Sequence, residues 1–248
     1  MQSYLERVLS GTLINLALVL PFLVLAFAQS RKGKSALRPV LWFVALVVLD
    51  IASVWLFKWV NFISWDKWNW QGKLFEVAWP VLLAFAFPAI FGAKRMGLTL
   101  PESKRHWRTT GIVCMLYAVI SIPVILLMGS HLTSVGAPTL VYEATMPGLG
   151  EEFMCRGAML LVLNEAFGRP WKFAGIEFGW GLVIVTALFG FLHGVDAKSV
   201  SDFHIHWDGM IFPAIIGLVL AWLRERTGSV WPCVVFHNCV NVLNQFLA

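Results

Sequence analysis

Long apolar runs separated by short polar connections dominate the hydrophobic pattern of this chain. A helix needs about 20 predominantly apolar residues to cross the hydrocarbon core of a bilayer. Such runs lie at residues 8–28, 39–62, 74–93, 111–130, 146–166, 179–194, 209–224 and 229–247. The sixth and seventh are short and contain glycine or proline, which packed membrane helices tolerate. The pattern predicts an all-α integral membrane protein, a bundle of about eight transmembrane helices forming one membrane domain over residues 1–248.

The composition supports this prediction and narrows the class of protein. Hydrophobic residues make up 58% of the chain and charged residues 13%, whereas soluble domains carry about 25% charged residues. So little charge cannot cover a water-soluble globule, so we expect the lipid bilayer to surround the chain. The net charge of +5 is scattered among loops without forming a basic patch, which argues against a nucleic-acid partner. The four cysteines lie in apolar segments and form no C-x-x-C pair.

The first apolar run resembles a signal peptide because it ends in Ala26-Phe27-Ala28. Its apolar length exceeds the usual h-region, and Arg7 is the one base ahead of it, so we expect a retained helix.

Basic residues concentrate in alternate loops. The odd-numbered loops carry Arg31, Lys32, Lys34, Arg38, Lys94, Arg95, Lys104, Arg105, Arg108, Arg169, Lys172, Arg224 and Arg226, and the even-numbered loops carry Lys67, Lys73 and Lys198. The positive-inside rule therefore predicts a multi-pass protein with cytoplasmic odd-numbered loops and both termini outside. In that orientation Trp59, Trp65, Trp68 and Trp70 are expected to form an aromatic belt at the outer interface.

The fifth run carries charges where they are costly. It contains Glu151, Glu152 and Arg156, and a charge at the bilayer centre costs at least about 2.5–3.5 kcal/mol on insertion scales. Glu152 and Arg156 are four residues apart on one helical face and can pair. Glu151 points about 100° away around the helix. The spacing predicts that Arg156 holds Glu152 and that Glu151 faces another group.

Two later runs add polar groups at a similar depth. His193 ends the sixth run after Phe189, and the last run places His237 and Asn241 four residues apart. With a rise of 1.5 Å per residue, these groups and Glu151 fall within about 10 Å of a common level. Each alone is more typical of a satisfied polar residue in a packed helix. Their shared depth predicts one polar intramembrane cavity.

The inventory of groups favours peptide hydrolysis by an activated water. Burial suits a carboxylate to act as a general base, an imidazole can orient the water, and an imidazole with an amide can bind an oxyanion. No G-x-S-x-G, Walker A or G-x-G-x-x-G motif is present, and H-E-x-x-H is also missing. Carboxylate and imidazole groups can also bind zinc, so that alternative stays open here.

Several polar residues have no assignment from the pattern. Asp50 lies alone in the second run and is expected to border the cavity or to pair with Ser53. The loop with Asp202, His204, His206 and Asp208 could bind a metal, although a solvated polar loop is the simpler interpretation. The glycine spacings 175–179 and 190–194 permit close helix approach and are expected to serve packing within the chain.

The ordered motifs resemble a known family. Glu151-Glu152-x-x-x-Arg156, Phe189-x-x-x-His193 and His237-x-x-x-Asn241, with the stretch from Leu223 to Pro232 before the last motif, are similar to the CPBP family of CAAX prenyl proteases and bacteriocin-processing (Abi) enzymes. The resemblance covers residues 146–241, the expected catalytic core.

The resemblance implies an eight-helix intramembrane bundle and an endopeptidase. It implies Glu151 as the water-activating base assisted by His193, His237 and Asn241 as the oxyanion site, and Glu152, Arg156 and Phe189 as supporting residues. The family has been described both as metal-dependent and as a metal-independent glutamate protease. We expect no cofactor; the alternative is a divalent metal such as zinc on Glu151, His193 and His237.

The expected substrate is a prenylated CAAX-type or other membrane-associated peptide or protein. The charge bias puts the cavity toward the outer face, whereas eukaryotic members act on a cytosolic tail. Either the positive-inside rule fails for this chain, or it is a prokaryotic member with a different substrate; we expect a prokaryotic plasma-membrane location. A non-catalytic immunity or scaffold protein of the same fold that binds a peptide is the alternative. A transporter would favour inverted repeats, which the sequence does not show.

Overall fold

We describe the protein from a computed structural model, which describes residues 2–30, 32–59, 68–127 and 134–246. In the first half, the helices are α1 (Gln2–Gln29), α2 (Leu37–Trp59), α3 (Trp70–Ala86), α4 (Pro88–Phe91), α5 (Ala93–Met96) and α6 (Lys104–Leu127), with a 3₁₀ turn at Gly33–Ala36. In the second half, they are α7 (Ala137–Glu143), α8 (Met146–Glu152), a π-helical turn (Phe153–Met159), α9 (Leu160–Phe167), α10 (Trp180–Gly194), α11 (Trp207–Thr227) and α12 (Trp231–Phe246). Two small antiparallel hairpins complete the fold, β1 (Trp171–Phe173) with β2 (Ile176–Phe178) and β3 (Val195–Ala197) with β4 (Phe203–Ile205).

Helix length and composition confirm an all-α integral membrane protein. Among the described residues, four helical stretches are long and apolar enough to cross a bilayer, and a bent pair makes a fifth if it counts as one span. These are Tyr4–Gln29, Gly33–Leu56, Lys104–Val124 and Trp207–Thr227, with the pair Trp70–Ala86 and Pro88–Met96. The count of eight stays a prediction. Helix α10, for example, has 15 residues, which at 1.5 Å each span about 22 Å of a core about 30 Å thick.

The third apolar run is not one straight helix. Helix α3 ends at Ala86, and the chain bends by 113° before continuing through α4 and α5. Proline disfavours the helical conformation for the residue before it, and Phe87 accordingly has φ −132° and ψ 59°. The fourth run differs in the other direction, because α6 begins at Lys104 and extends the apolar run into a basic segment.

Helix α10 lies in the core and packs against α1, α9 and α11. A Cβ at Gly190 would lie 2.9 Å from the Cβ of Ala214, and one at Gly194 would lie 2.4 Å from the Cβ of Met210. These two glycines therefore allow close approach to α11, which confirms within-chain packing for this pair. For Gly175–Gly179 the prediction of helix approach is wrong, because Gly175 has φ +75° and forms the turn between β1 and β2.

The junction of α11 and α12 clamps the segment after α5. Arg224 donates from Nε to the Arg156 carbonyl over 3.2 Å and from Nη2 to the Arg95 carbonyl over 3.1 Å. Trp231 donates its indole N–H to the Leu98 carbonyl over 2.8 Å. Val230 N, 2.9 Å from the Gly97 carbonyl, and Ser229 Oγ, 2.7 Å from the Thr99 carbonyl, complete this cluster, called here the Arg224 clamp. It anchors the start of α12, the helix that carries His237.

Candidate active site

A small cavity lies where α2, α3, the α8–π segment and α10 meet. Its volume is about 220 Å³. The lining combines charged and apolar side chains, namely Asp50, Ile51, Val54, Trp55, Lys73, Glu76, Glu151, Cys155, Phe189, Leu192 and His193. Titratable groups from four elements therefore share one cavity.

Glu151 uses its two carboxylate oxygens differently. Oε1 lies 2.7 Å from Nζ of Lys73, which donates a hydrogen bond. Oε2 lies 3.6 Å from Nε2 of His193 and 3.8 Å from Nε2 of His237. Both separations exceed hydrogen-bond length, and Oε2 is buried without a hydrogen-bond partner among the described residues. The sequence prediction that Glu151 faces away from Arg156 agrees with this geometry.

The hydrogen bond of His193 determines its tautomer. Nδ1 lies 2.8 Å from the backbone carbonyl of Phe189, one helical turn earlier. A carbonyl oxygen only accepts, so Nδ1 carries a proton, and in the neutral ring Nε2 presents a lone pair. That lone pair faces Oε2 of Glu151, so two hydrogen-bond acceptors face each other across a gap.

His237 is oriented by the second carboxylate. Its Nδ1 lies 2.8 Å from Oε1 of Glu152, and the same oxygen accepts a hydrogen bond from Nη1 of Arg156 over 3.0 Å. Glu152 and Arg156 are fully buried. The predicted Glu152–Arg156 pair is therefore present, and Glu152 additionally holds the His237 ring.

Arg156 and Phe189 support these rings. Arg156 donates from Nη2 to the Gly217 carbonyl over 3.0 Å, and its guanidinium lies 4.2 Å from the ring centroid of Phe189. The Phe189 ring also packs beside His193 and His237, at centroid distances of 4.5 and 5.9 Å. The π-helical turn that contains Arg156 is buried throughout, and such turns are frequent at functional sites.

Asn241 contacts a residue that sequence reasoning did not single out. Its Nδ2 donates to Oε2 of Glu143 over 3.0 Å. Glu143 belongs to α7, outside the candidate spans. Burial raises the pKa of the Glu143 carboxyl above its usual value, and the hydrogen bond from Asn241 acts in the opposite direction. The contact with Glu143 uses one of the two N–H bonds of the Asn241 amide.

Asn238 joins α12 to the start of α8. Its side chain donates to the Ala144 carbonyl over 2.9 Å and accepts from the Gly148 N–H over 2.9 Å. A Cβ at Gly148 would lie 2.4 Å from Oδ1 of Asn238, so the glycine permits this contact. Sequence reasoning missed Asn238 because it considered the four-residue spacing between His237 and Asn241, and Asn238 lies between them.

Sequence reasoning also missed Lys73 and Glu76. Lys73 was assigned to an even-numbered loop, but it lies in the first turn of α3 and contacts Glu76 over 2.8 Å as well as Glu151. A lysine and a glutamate three residues apart in an apolar helix were the available signal.

Asp50 lines the cavity, which agrees with the first of the two alternatives that the sequence left open for it. Ser53 bonds elsewhere: its hydroxyl donates to the Leu49 carbonyl over 2.7 Å and accepts from the Trp79 indole over 2.9 Å.

The loop with alternating His and Asp residues is mostly exposed. His204 lies 3.6 Å from Asp202, with 67% and 53% of the two side chains exposed. His204 is paired with Asp196 across the β3–β4 hairpin, and His206 precedes α11. Within the described ranges, no group of three His, Cys, Asp or Glu residues is arranged to hold a metal ion. The solvated-loop interpretation fits this geometry.

The tryptophan belt needs a partial correction. Trp70 is buried, and Trp68 stacks on Tyr142 with ring centroids 4.8 Å apart. These two side chains therefore pack against α7 within the protein. The side chains of Trp59 and Trp65 lie outside the described residues.

The cavity residues do not fit a metal centre as arranged. Tetrahedral zinc, at about 2.0–2.1 Å from each nitrogen or oxygen ligand, brings ligand atoms within about 3.4 Å of one another. The imidazole nitrogens lie 3.6 and 3.8 Å from Glu151 Oε2. In addition, the Lys73 ammonium contacts the same carboxylate over 2.7 Å, where its charge would repel a divalent cation.

Comparison with known proteins finds a family model that resembles this part of the chain. Residues 133–243 match the family model described as type II CAAX prenyl endopeptidase, Rce1-like. No curated protein and no solved structure matches the chain. The matched range includes Glu151, His193 and His237, whereas Lys73 lies outside it. Over residues 133–243 this integral membrane protein is therefore similar to the Rce1-like CAAX prenyl endopeptidases, a family of proteases, and this match supports the resemblance to CPBP proteins.

Proposed function

We propose that the protein is an intramembrane endopeptidase in which Glu151 activates a water molecule to hydrolyse a peptide bond. One observation carries the proposal: Oε2 of Glu151 and the Nε2 atoms of His193 and His237 converge with separations of 3.6 and 3.8 Å. Oε2 of Glu151 and the Nε2 lone pair of neutral His193 both accept hydrogen bonds, so they favour a molecule with two donors between them. Water is such a molecule.

In the first step, Glu151 and His193 hold and deprotonate the water. One hydrogen of the water is directed to Oε2 of Glu151 and the other to Nε2 of His193, whose Nδ1–H stays bonded to the Phe189 carbonyl. The water oxygen bonds to the carbonyl carbon of the substrate as its proton moves to Glu151. The π electrons of the carbonyl move to its oxygen, which becomes an oxyanion. General base catalysis of this kind contributes about 10²–10⁴-fold.

His237 and Asn241 stabilise the oxyanion in this proposal. In its protonated form, His237 keeps the Nδ1–H bond to Glu152 and directs Nε2–H into the site. Asn241, oriented by Glu143, contributes its second N–H. The oxyanion then re-forms the C=O bond as the C–N bond breaks, and the electron pair of that bond stays on nitrogen, which takes the proton from Glu151. The second hydrogen of the water stays on the product carboxyl group, so the carboxylate and the imidazoles end as they began.

We further propose that these steps require no metal ion. The ammonium of Lys73 on Oε1 of Glu151 supports this, since it supplies positive charge where a metal would otherwise do so. A zinc ion held by Glu151, His193 and His237 would lie beside this ammonium, whose charge would oppose its binding.

The proposed substrate is a prenylated CAAX-type or other membrane-associated peptide or protein. The family of residues 133–243 supports this class. We propose a cavity at membrane depth within eight membrane-inserted segments, residues 146–241 as the catalytic core, and a prokaryotic plasma-membrane location.

The proposed topology places the odd-numbered loops in the cytoplasm. Contacts involving these loops support their placement on one and the same side of the membrane. Lys32 donates to the carbonyl of Glu165 over 2.5 Å, and Arg95 pairs with the Glu165 carboxylate. Arg169 pairs with Glu225 over 2.9 Å. All these residues therefore gather at one end of the bundle.

The test compares new peptide termini in membranes that contain either wild type or Glu151→Gln at matched levels. Mass spectrometry of all termini in the membrane does not require a chosen substrate. We expect termini that depend on Glu151, and their sequences identify the substrate and the side of cleavage. Identical termini in both membranes would contradict proteolysis and favour the peptide-binding alternative. Glu165→Gln, a carboxylate at the opposite end of the bundle, is the control for nonspecific effects.

A further inference from the structure

The ammonium group in the cavity belongs to Lys73, a residue outside the range that matches the family model. Lys73 belongs to α3, whereas the match begins at residue 133. We propose that Lys73 is a positioning residue that keeps Glu151 ionised and aims its Oε2 atom at the two imidazoles. The inference rests on the proposed function for the consequence in catalysis, but the ionised state of Glu151 can be tested without a substrate.

The contacts of Lys73 make it a bridge between two carboxylates. Its Nζ lies 2.7 Å from Oε1 of Glu151, and 3.1 and 2.8 Å from the two oxygens of Glu76. The Lys73 side chain is 13% exposed and that of Glu76 is 1% exposed. Glu76 therefore fixes the ammonium, and the ammonium fixes one oxygen of Glu151.

Orientation follows from how a glutamate rotates. The last torsion of a glutamate side chain has a broad, roughly two-fold preference, so the carboxylate plane needs a partner to define it. With Oε1 held by Lys73, Oε2 faces His193 and His237. Without that hydrogen bond, the carboxylate is free to turn toward either imidazole.

Ionisation follows from the charges in the cavity. Asp50, Glu76 and Glu151 all line it with Lys73, so carboxyl groups outnumber the ammonium. Isolated buried carboxylates take up a proton rather than stay charged. The two carboxylates in contact with the ammonium, Glu151 and Glu76, are favoured over Asp50 to stay ionised, and a general base must be ionised to accept a proton. The other titratable groups around Glu151 are Tyr142, Glu143, Glu152, Cys155, Arg156, His193 and His237.

The main variant is the pair Lys73→Met with Glu76→Gln. It removes one positive and one negative charge and keeps both side chains close to their volumes, so the fold does not have to bury an unpaired Glu76. Glu76→Gln alone is the matched control because it keeps the ammonium. Size-exclusion chromatography and thermal unfolding in detergent establish that both variants fold.

The substrate-independent measurement uses dicyclohexylcarbodiimide, an apolar reagent that modifies protonated carboxyl groups. Mass spectrometry of the peptide containing Glu151 measures the modified fraction. We expect little modification of Glu151 in wild type and Glu76→Gln, and at least about a tenfold increase in the double variant, which corresponds to about 1.4 kcal/mol. Equal modification of Glu151 in wild type and the double variant would overturn the inference. The adduct on Asp50 reports access of the reagent to the cavity.

The catalytic readout uses a farnesylated CAAX peptide with a fluorogenic reporter. We expect the double variant to lose kcat by about 10²-fold, typical of a lost general base, with KM changed far less. Glu76→Gln should lose much less kcat. A variant that damaged the fold would lose folded protein and would not separate kcat from KM in this way.

Chemical rescue separates the charge from the shape of Lys73. In Lys73→Cys with Glu76→Gln, alkylation by 2-bromoethylamine restores an ammonium at nearly the length of lysine, whereas iodoacetamide adds a neutral amide. Wild type treated in parallel accounts for its own four cysteines. We expect recovery of kcat with the ammonium adduct alone. Recovery with the neutral adduct, or none with the ammonium adduct, would overturn the role of charge.

The two proposals can fail separately. If wild type does not cleave the peptide but Glu151 becomes reactive toward the carbodiimide in the double variant alone, the proposed substrate class fails and the role of Lys73 stands. If wild type cleaves and Glu151→Gln does not, but neither reactivity nor kcat responds to Lys73, the function stands and the role of Lys73 fails.

Discussion

The Arg224 clamp and the polar cluster around Glu151 are both buried in this bundle, but they differ in how completely their donors and acceptors are hydrogen-bonded. In the Arg224 clamp, donors meet backbone carbonyls over 2.7–3.2 Å. Around Glu151, Oε2 and two imidazole nitrogens stand 3.6 and 3.8 Å apart. Oε2 of Glu151 is a buried atom without a partner, and none of the clamp's side-chain atoms is of that kind among the described residues.

This difference is the one expected between a cluster that stabilises the fold and a cluster that binds a reactant. A buried polar group without a hydrogen bond costs about 1–3 kcal/mol, so an arrangement that only stabilises the fold satisfies its donors and acceptors. In the clamp, the side-chain donors bond to backbone carbonyls, acceptors that every residue of the chain provides. The gap beside Glu151 is the arrangement expected where a reactant is still to enter.

The Glu152–Arg156 pair lies between these extremes. It has close contacts to His237 and to the Gly217 carbonyl, yet Oε2 of Glu152 and Nε of Arg156 are buried without partners among the described residues. It therefore combines both roles, since it fills the core and orients His237, the ring that we propose to be catalytic. Variants in the Arg224 clamp, in the group around Glu151 and in this ion pair should differ in whether they change rate, stability or both.

The largest expected effect is on rate. His193→Ala should lower kcat by about 10²–10⁴-fold, the range for a positioned acid–base group, because the water loses the acceptor that orients it. Thermal unfolding should change little, since the His193 side chain is 37% exposed. The measurement pairs peptide cleavage with unfolding in detergent. His204→Ala, at an exposed hairpin residue, is the control. A large loss of stability in His193→Ala with normal kcat would place His193 among the structural residues.

Arg156→Met should affect stability and rate together. It leaves Glu152 buried without its cation, and breaking a buried ion pair in this way costs about 3–5 kcal/mol. The free energy of unfolding in a denaturing detergent series measures the cost. The double variant with Glu152→Gln should recover part of that stability without restoring activity, because His237 then loses the carboxylate at Nδ1. Full activity in the double variant would contradict the proposed role of Glu152.

Gly97→Ala should affect stability alone. Gly97 has φ +72°, and a Cβ there would lie 2.7 Å from the Gly228 carbonyl and 2.8 Å from Cζ of Arg224. Strain of this kind costs about 1–3 kcal/mol, which unfolding measurements detect, and the kcat of the folded fraction should stay within a few-fold of wild type. Gly111→Ala, where an added Cβ meets nothing within 4 Å, is the control and should be neutral or stabilising. A loss of kcat in Gly97→Ala larger than the loss of folded protein would show that the clamp and the site are coupled.

Trp231→Phe should give the smallest effect. It removes the indole N–H bonded to the Leu98 carbonyl over 2.8 Å but keeps an aromatic ring against Phe153. The expected cost is about 0.5–1.5 kcal/mol in the free energy of unfolding. Trp207→Phe, at a residue 63% exposed, is the control. Equal destabilisation of the two variants would mean that the clamp hydrogen bond contributes nothing measurable.

Local spacing explains which parts of the site were predictable. The Glu152–Arg156 pair follows from one turn of helix, and the separation of Glu151 from it follows from adjacency on the same helix. Lys73 was missed because its partner Glu151 lies in a different helix and 78 residues away in the chain, and a lysine near a helix end is ordinarily solvated. Asn241 illustrates the same limit, since its contact with Glu143 joins α12 to α7.

What the sequence alone determined are the properties that depend on composition and on periodicity within one helix. These are the membrane environment, the helical class, the order of the motifs and the face that each carboxylate occupies. The tertiary structure decided which helices bring their charges together. It assigned the ammonium of α3 to Glu151, the carboxylate of α8 to His237, and the Phe189 carbonyl to the nitrogen of His193 that must carry the proton. The physical reason is that hydrogen bonds act over about 3 Å, and only packing brings distant segments of the chain within that distance.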